Sequence, residues 1–92
     1  MDIYEEILQK INHNELEQAR AMAQSLVDAS PAGADEKALY LLGKIEWKCG
    51  NMSAAIGHYS AAVRINPNSE AATALEQARS IMNFYHRDLY NP

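Results

Sequence analysis

The 92-residue chain has one cysteine, three prolines, four glycines and an aromatic content of only 8%. A single cysteine excludes a disulfide framework and any cysteine-built zinc site. So few prolines and glycines exclude collagen-like or linker-like material. No apolar run approaches the roughly 18 residues that cross a bilayer. The opening Met1-Asp2-Ile3-Tyr4-Glu5-Glu6 is acidic where a secretory leader is basic and then apolar. A cytoplasmic protein with no membrane partner is therefore expected. Cations are also in deficit, eight Lys and Arg against twelve Asp and Glu, for a net charge of −4. That argues against a general nucleic-acid binder, which needs cations to displace counterions from phosphates.

Patterns that carry chemistry are missing as well. There is no metal-ligand spacing, no Walker loop and no dinucleotide fingerprint. Gly43 and Gly57 fall inside helical stretches rather than in phosphate-cradling loops. His13, His58 and His86 have no carboxylate or cysteine at a motif spacing and are expected in turns or on the surface. Cys49 is expected as a small packing residue rather than a nucleophile. The expectation is a protein without catalytic residues, metal or cofactor.

What is present is helix. Hydrophobic residues make up 48% and charged residues 22%, ordinary for one globular domain. Ala, Leu, Glu and Gln dominate, and β-branched residues never cluster. A first helix is predicted from Asp2 to Asn12, with Ile3, Ile7, Leu8 and Ile11 on one face. Asn14 reads as the N-cap of a second helix, with Glu17 completing a capping-box-like pair. That helix carries Leu16, Ala19, Ala23, Leu26 and Val27 and ends at Ser30-Pro31-Ala32-Gly33. A third runs from Asp35 to about Cys49, where Gly50 supplies a left-handed stop. A fourth, capped by Asn51, carries Met52, Ala55, Ile56, Tyr59, Ala62 and Val63 and closes at Asn66-Pro67-Asn68. The fifth runs from Ser69 to the Tyr85–Asp88 region, with Ala71, Leu75, Ala78, Met82, Tyr85 and Leu89 on its apolar stripe.

Pro31 and Pro67 lie 36 residues apart, each after an amphipathic helix, and Leu39 and Leu75 follow them at equal distance. A helix–turn–helix unit that recurs at this period is the signature of an α-solenoid. Within residues 36–69, Leu39, Leu42, Gly43, Ala55, Tyr59 and Pro67 stand at the spacing of a tetratricopeptide repeat, which this segment resembles. Glu46 departs from the pattern, where a Tyr is usual, and Trp47 beside it is expected to supply the bulk. Residues 1–35 resemble a divergent first repeat, with Ala23 at an aromatic position and a first helix that aligns with a one-residue offset. Residues 70–92 read as a capping helix and tail, with Arg79 where a packed repeat has Gly. The ending is similar to tails of short stand-alone repeat proteins from Bacteroides-type bacteria. The resemblance implies an all-α fold, an α-solenoid of antiparallel helix pairs with five helices.

It also implies a role as a protein–protein adaptor, with a partner segment lying on a concave face lined by the first helix of each unit. On the third helix the corresponding residues are Lys37, Tyr40, Lys44, Trp47 and Lys48, a seat for an acidic segment with a hydrophobic anchor. Two alternatives stand beside it. The lysines are solvated, or pair with Glu5, Glu36 or Glu76, and Trp47 fills the core. A carboxylate clamp of the kind some tetratricopeptide domains use is not expected, because its Asn position is Leu41. A second expectation is a homo-oligomer associating through Met82, Phe84, Tyr85 and Leu89, unless Phe84 and Tyr85 tuck back over the third and fourth helices.

Overall fold

The computed structural model describes the backbone of residues 2–90 and the side chains of residues 2–84. Five α-helices follow one another: α1 (Ile3–Asn12), α2 (Leu16–Ala29), α3 (Glu36–Lys48), α4 (Met52–Ile65) and α5 (Glu70–Tyr90). One 3-10 turn, Pro31–Gly33, joins α2 to α3, and there is no strand among the described residues. The all-α expectation holds, with helix ends within about two residues of those read from the sequence.

The caps explain the ends. Asp2 Oδ1 accepts from the Glu5 amide at 2.8 Å and Asp35 Oδ1 from the Ala38 amide at 3.1 Å, so two of the first-turn donors are satisfied. Asn14 does not cap α2. It takes φ +62°, its amide donates to Ile11 O at 3.0 Å, and the Glu15 amide reaches back to Lys10 O at 2.8 Å. These crossed bonds form a left-handed stop for α1, a conformation that Asn tolerates better than other residues with a side chain. Glu15 takes the N-cap place of α2 with no side-chain bond. The end of α3 repeats the device: Gly50 has φ +86°, its amide donates to Trp47 O at 3.1 Å, and the Asn51 amide donates to Glu46 O at 2.9 Å. The two stops lie 36 residues apart.

Each helix packs on the next, and α1 also touches α3. α3 therefore has the most helix neighbours, α1, α2 and α4, and it buries Ala38, Leu39, Leu41, Leu42, Gly43 and Ile45. Its most extensive packing is on α4. There Gly43 lies against the ring of Tyr59: a Cβ at Gly43 would stand 2.9 Å from Cζ, with two other ring carbons closer still. The terminal helix α1 has neighbours on fewer sides and buries only Ile7 and Ile11. Ile3 and Leu8, expected on its buried face, are 38% and 37% exposed, and Tyr4 packs against the core instead. α5 buries Ala71, Leu75 and Ala78, and Met82 is half-buried. Tyr85 and Leu89 lie outside the described side chains.

Candidate functional site

One face of the molecule carries two neighbouring hollows. The larger, about 560 Å³, is lined by Ile11 and Asn12 of α1, by Tyr40, Lys44, Trp47 and Lys48 of α3, and by a stripe of α5 that includes Glu70, Thr73, Gln77 and Ile81. Tyr59 of α4, only 4% exposed, also reaches it. The second, about 410 Å³, takes the first turns of the same helices: Asp2, Tyr4, Glu5 and Leu8, then Glu36 and Lys37, then Ser69 and Glu70. Tyr40, Lys44 and Glu70 line both, so the two form one groove running along α3. The α3 sequence builds this wall by periodicity. Ala38, Leu42 and Ile45 point into the core, while Lys37, Tyr40, Lys44 and Lys48 recur at helical spacing on the other side.

Hydrogen bonds fix the groove walls. Tyr4 Oη donates to Asp35 Oδ2 at 2.8 Å, tying the start of α1 to the cap of α3. Lys48 Nζ donates to Ile11 O at 3.2 Å, placing a cation on the carbonyl end of α1, where the helix dipole favours it. Asn66 Nδ2 donates to Glu36 Oε1 at 2.9 Å and ties the start of α3 to the end of α4. The bond to Asp35 is the main cause that raises the Tyr4 phenol above its ordinary range; burial and the nearby acidic charges add to it.

Two of the three groove lysines sit over aromatic rings, and none of the three is in an ion pair among the described residues. Lys37 Nζ is 5.5 Å from the ring centroid of Tyr4, and Lys44 Nζ is 5.5 Å from that of Tyr40. The Tyr40 and Tyr59 rings lie 6.0 Å apart, tilted by 38°. The ion pairs among the described residues are Lys10–Glu15 at 3.5 Å and a shorter Arg20–Glu46 contact, so Glu5, Glu36 and Glu76 do not pair with Lys37, Lys44 or Lys48.

A second polar group lies where α2 meets α3. The Arg20 guanidinium donates to Glu46 Oε1 and, at 3.4 Å, to Cys49 Sγ. The bond to Glu46 chiefly raises Arg20 further above its usual value. Glu46, at the place where a Tyr is usual, is held in an ion pair, and Trp47 beside it packs partly on the core and lines the groove. Cys49 is exposed, against the expectation of a packing role, because it stands at the C-cap of α3 beyond the last buried turn. His58 is half-buried on α4, and burial lowers its pKa against an opposing pull from Glu46. His13 is exposed at the end of α1, and the His86 side chain lies outside the described set. No group of three or more His, Cys, Asp or Glu placed to hold a metal ion occurs among the described residues.

No family model and no curated protein matches the chain. A Bacteroides fragilis protein, BF1650, whose structure was solved by solution NMR, superposes with a TM-score of 0.85 at 33% identity, over 99% of this chain and 91% of that one. The chain belongs to the family of that Bacteroides fragilis protein.

In this member of the BF1650 family, the five α3 residues singled out in the sequence fall on the two hollows: Tyr40, Lys44, Trp47 and Lys48 on the larger, and Lys37 on the smaller with Tyr40 and Lys44. Sequence reasoning missed Tyr4, Thr73, Gln77 and Ile81. The α5 residues were legible in principle, because they repeat at helical spacing one step around from Ala71, Leu75 and Ala78. Leu41 is 5% exposed, in the core. Of the residues expected to drive self-association, Met82 is half-buried and Phe84 is 62% exposed. No helix among the described residues is long and apolar enough to cross a membrane.

Proposed function

We propose that the protein is a non-catalytic adaptor of tetratricopeptide-like construction, a short α-solenoid that holds a segment of a partner protein in the groove of α1, α3 and α5. The observation that carries this reading is the convergence of Tyr40, Lys44, Trp47 and Lys48 with Thr73, Gln77 and Ile81 around one open hollow. Tyr and Trp are enriched among the residues that carry most of the energy of protein recognition surfaces. The repeat reading draws support from the paired left-handed stops at Asn14 and Gly50 and from Ala19 and Ala55, both fully buried and also 36 residues apart. A bacterial, cytoplasmic setting fits this reading.

The test is affinity capture from native lysate read by mass spectrometry, with wild type beside a Lys37→Glu, Lys44→Glu, Lys48→Glu variant of matched helicity. A partner held by wild type and lost by the variant is the expected result. The same partner on both baits would move the site off the groove. Lys48 also bonds Ile11 O, so Lys44→Glu alone serves as the variant least coupled to the fold.

A second reading, homo-oligomerisation through α5, rests on the exposure of Ile81 at 39% and Phe84 at 62%. It predicts a concentration-dependent mass that Phe84→Ala changes and Lys44→Glu does not.

A further inference from the structure

The groove is not uniform in charge, and this gives its occupant a direction. The end toward the last turns of α1 and α3 carries Lys44 and Lys48. The end toward the first turns carries Asp2, Glu5 and Glu36, with Lys37 drawn over the Tyr4 ring. Tyr40, Lys44 and Glu70 are shared by both hollows, Lys44 one helical turn before Lys48 and Glu70 in the first turn of α5. A uniformly acidic segment would meet like charge at one end, and a uniformly basic one at the other, so both are disfavoured.

The polar groups on the groove bear on the occupant's backbone. The side chains of Asn12, Asn68, Thr73 and Gln77 line the two hollows and make no hydrogen bond within the described residues. A helical occupant would arrive with its own backbone groups already paired, whereas an extended one needs partners of this kind. Glu36 and Lys48 are twelve residues apart on α3, about 18 Å at the helical rise. An extended chain covers that distance in about five or six residues.

We propose that the groove binds an extended, dipolar segment of a partner protein: a carboxylate at the Lys44–Lys48 end, a bulky apolar side chain over Tyr40 and Trp47, and a cation about five residues away at the Asp2–Glu5–Glu36 end. The proposal rests on the groove reading above and adds the order of charges to it.

The experiment is a selection of displayed random dodecapeptides on the intact wild-type chain, repeated on Lys44→Glu and on Glu5→Lys. Both substitutions change exposed or half-exposed groups that make no hydrogen bond or ion pair within the described residues. Wild type is expected to enrich peptides with an acid and a base on opposite sides of a bulky apolar residue. Lys44→Glu should exchange the acid for a base, and Glu5→Lys the base for an acid. Each selected peptide should bind the unmatched variant about five- to tenfold more weakly at low salt, a difference that shrinks at high salt. Peptides of one charge sign, or charge preferences unchanged in both variants, would overturn the dipolar segment. If those peptides still lose binding on Trp47→Ala, the groove reading survives and only the charge order fails. Peptides insensitive to Trp47→Ala and to both charge variants, or no enrichment at all, would overturn the groove reading as well.

Discussion

At the positions aligned by their left-handed stops, α1–α2 and α3–α4 carry opposite distributions of buried bulk. At the 36-residue shift that superposes their left-handed stops, Ile7 corresponds to Gly43 and Ala23 to Tyr59. All four are buried. The second pair puts its bulk on α4 and clears room on α3, so the Tyr59 ring lies against bare backbone. The first pair puts its bulk on α1 and keeps α2 small. A shared volume, rather than a residue type, is the equivalence that this arrangement predicts for the two pairs of positions. Interiors are packed densely enough that such volumes must be matched.

The sharpest way to break that equivalence is a double-mutant cycle in the first pair. Ile7→Ala should cost about 2–5 kcal/mol, from lost burial and the cavity left behind. Ala23→Phe in the native background should cost about 1–3 kcal/mol through overpacking. Together they reproduce the small-then-large order of α3–α4 and should cost less than their sum, by about 0.5–3 kcal/mol. Urea unfolding of the four chains measures the coupling. Strict additivity would show that Ile7 and Ala23 do not share one volume.

Next in size is a comparison of two glycines. Gly43→Ala places a methyl group into a buried ring that has no flexible end to move aside, and should cost about 1–3 kcal/mol even after the helix-propensity gain. In a domain this small that corresponds to a melting temperature lower by roughly 4–8 °C for each kcal/mol. Gly57 is exposed inside α4, and a methyl group added there would meet nothing within 4 Å, so Gly57→Ala should stabilise by about 0.5–1 kcal/mol. Thermal unfolding followed by circular dichroism reads both signs. Two stabilising substitutions would mean the α3–α4 contact is looser than the Gly43–Tyr59 geometry requires.

These residues also show how far the sequence could be read. The five helices, the Gly50 stop and the place of Lys37, Tyr40, Lys44 and Lys48 along one helix face followed from period and punctuation alone. Asn14 did not, because the same residue type serves as an N-cap and as a left-handed stop, and only the bonds from Asn14 and Glu15 back to α1 decide. Periodicity puts Ile3 and Leu8 on a buried face because it gives the direction of a stripe, not its width. Width depends on how many helices pack there, and α1 has few neighbours. The repeat pattern gives Glu46 no partner. Its real partner, Arg20, lies 26 residues away, and no local rule reaches that far.

The two pairs should also part in alkaline solution. Burial pushes the Tyr59 phenol from its ordinary 10 up to about 12, whereas the corresponding Ala23 has nothing to ionise. The unfolded chain then loses its proton first. The stability held below pH 10 falls as pH rises toward 12, by up to about 1.4 kcal/mol per pH unit. Tyr59→Phe should flatten most of this slope. Tyr4→Phe should remove a further part, because the hydrogen bond to Asp35 raises that phenol too. Denaturant midpoints at stepped pH measure it, and an unchanged slope in Tyr59→Phe would place the alkaline sensitivity elsewhere.

The smallest expected difference lies on the acid side, at His58, whose counterpart in the first pair is Met22. Burial holds the folded His58 below its ordinary 6.5, with the nearby Glu46 pulling the other way. Above 6.5 neither state carries the proton and the full contribution to stability is present. As pH falls below 6.5 the unfolded chain binds the proton first, so stability declines until the folded imidazole titrates in turn. Copying the first pair with His58→Met should remove that decline without touching the alkaline slope. An NMR titration of the His58 ring tests the cause directly. A midpoint at or above 6.5 would mean that Glu46, and with it the Arg20 pair, governs this corner of α4 rather than burial.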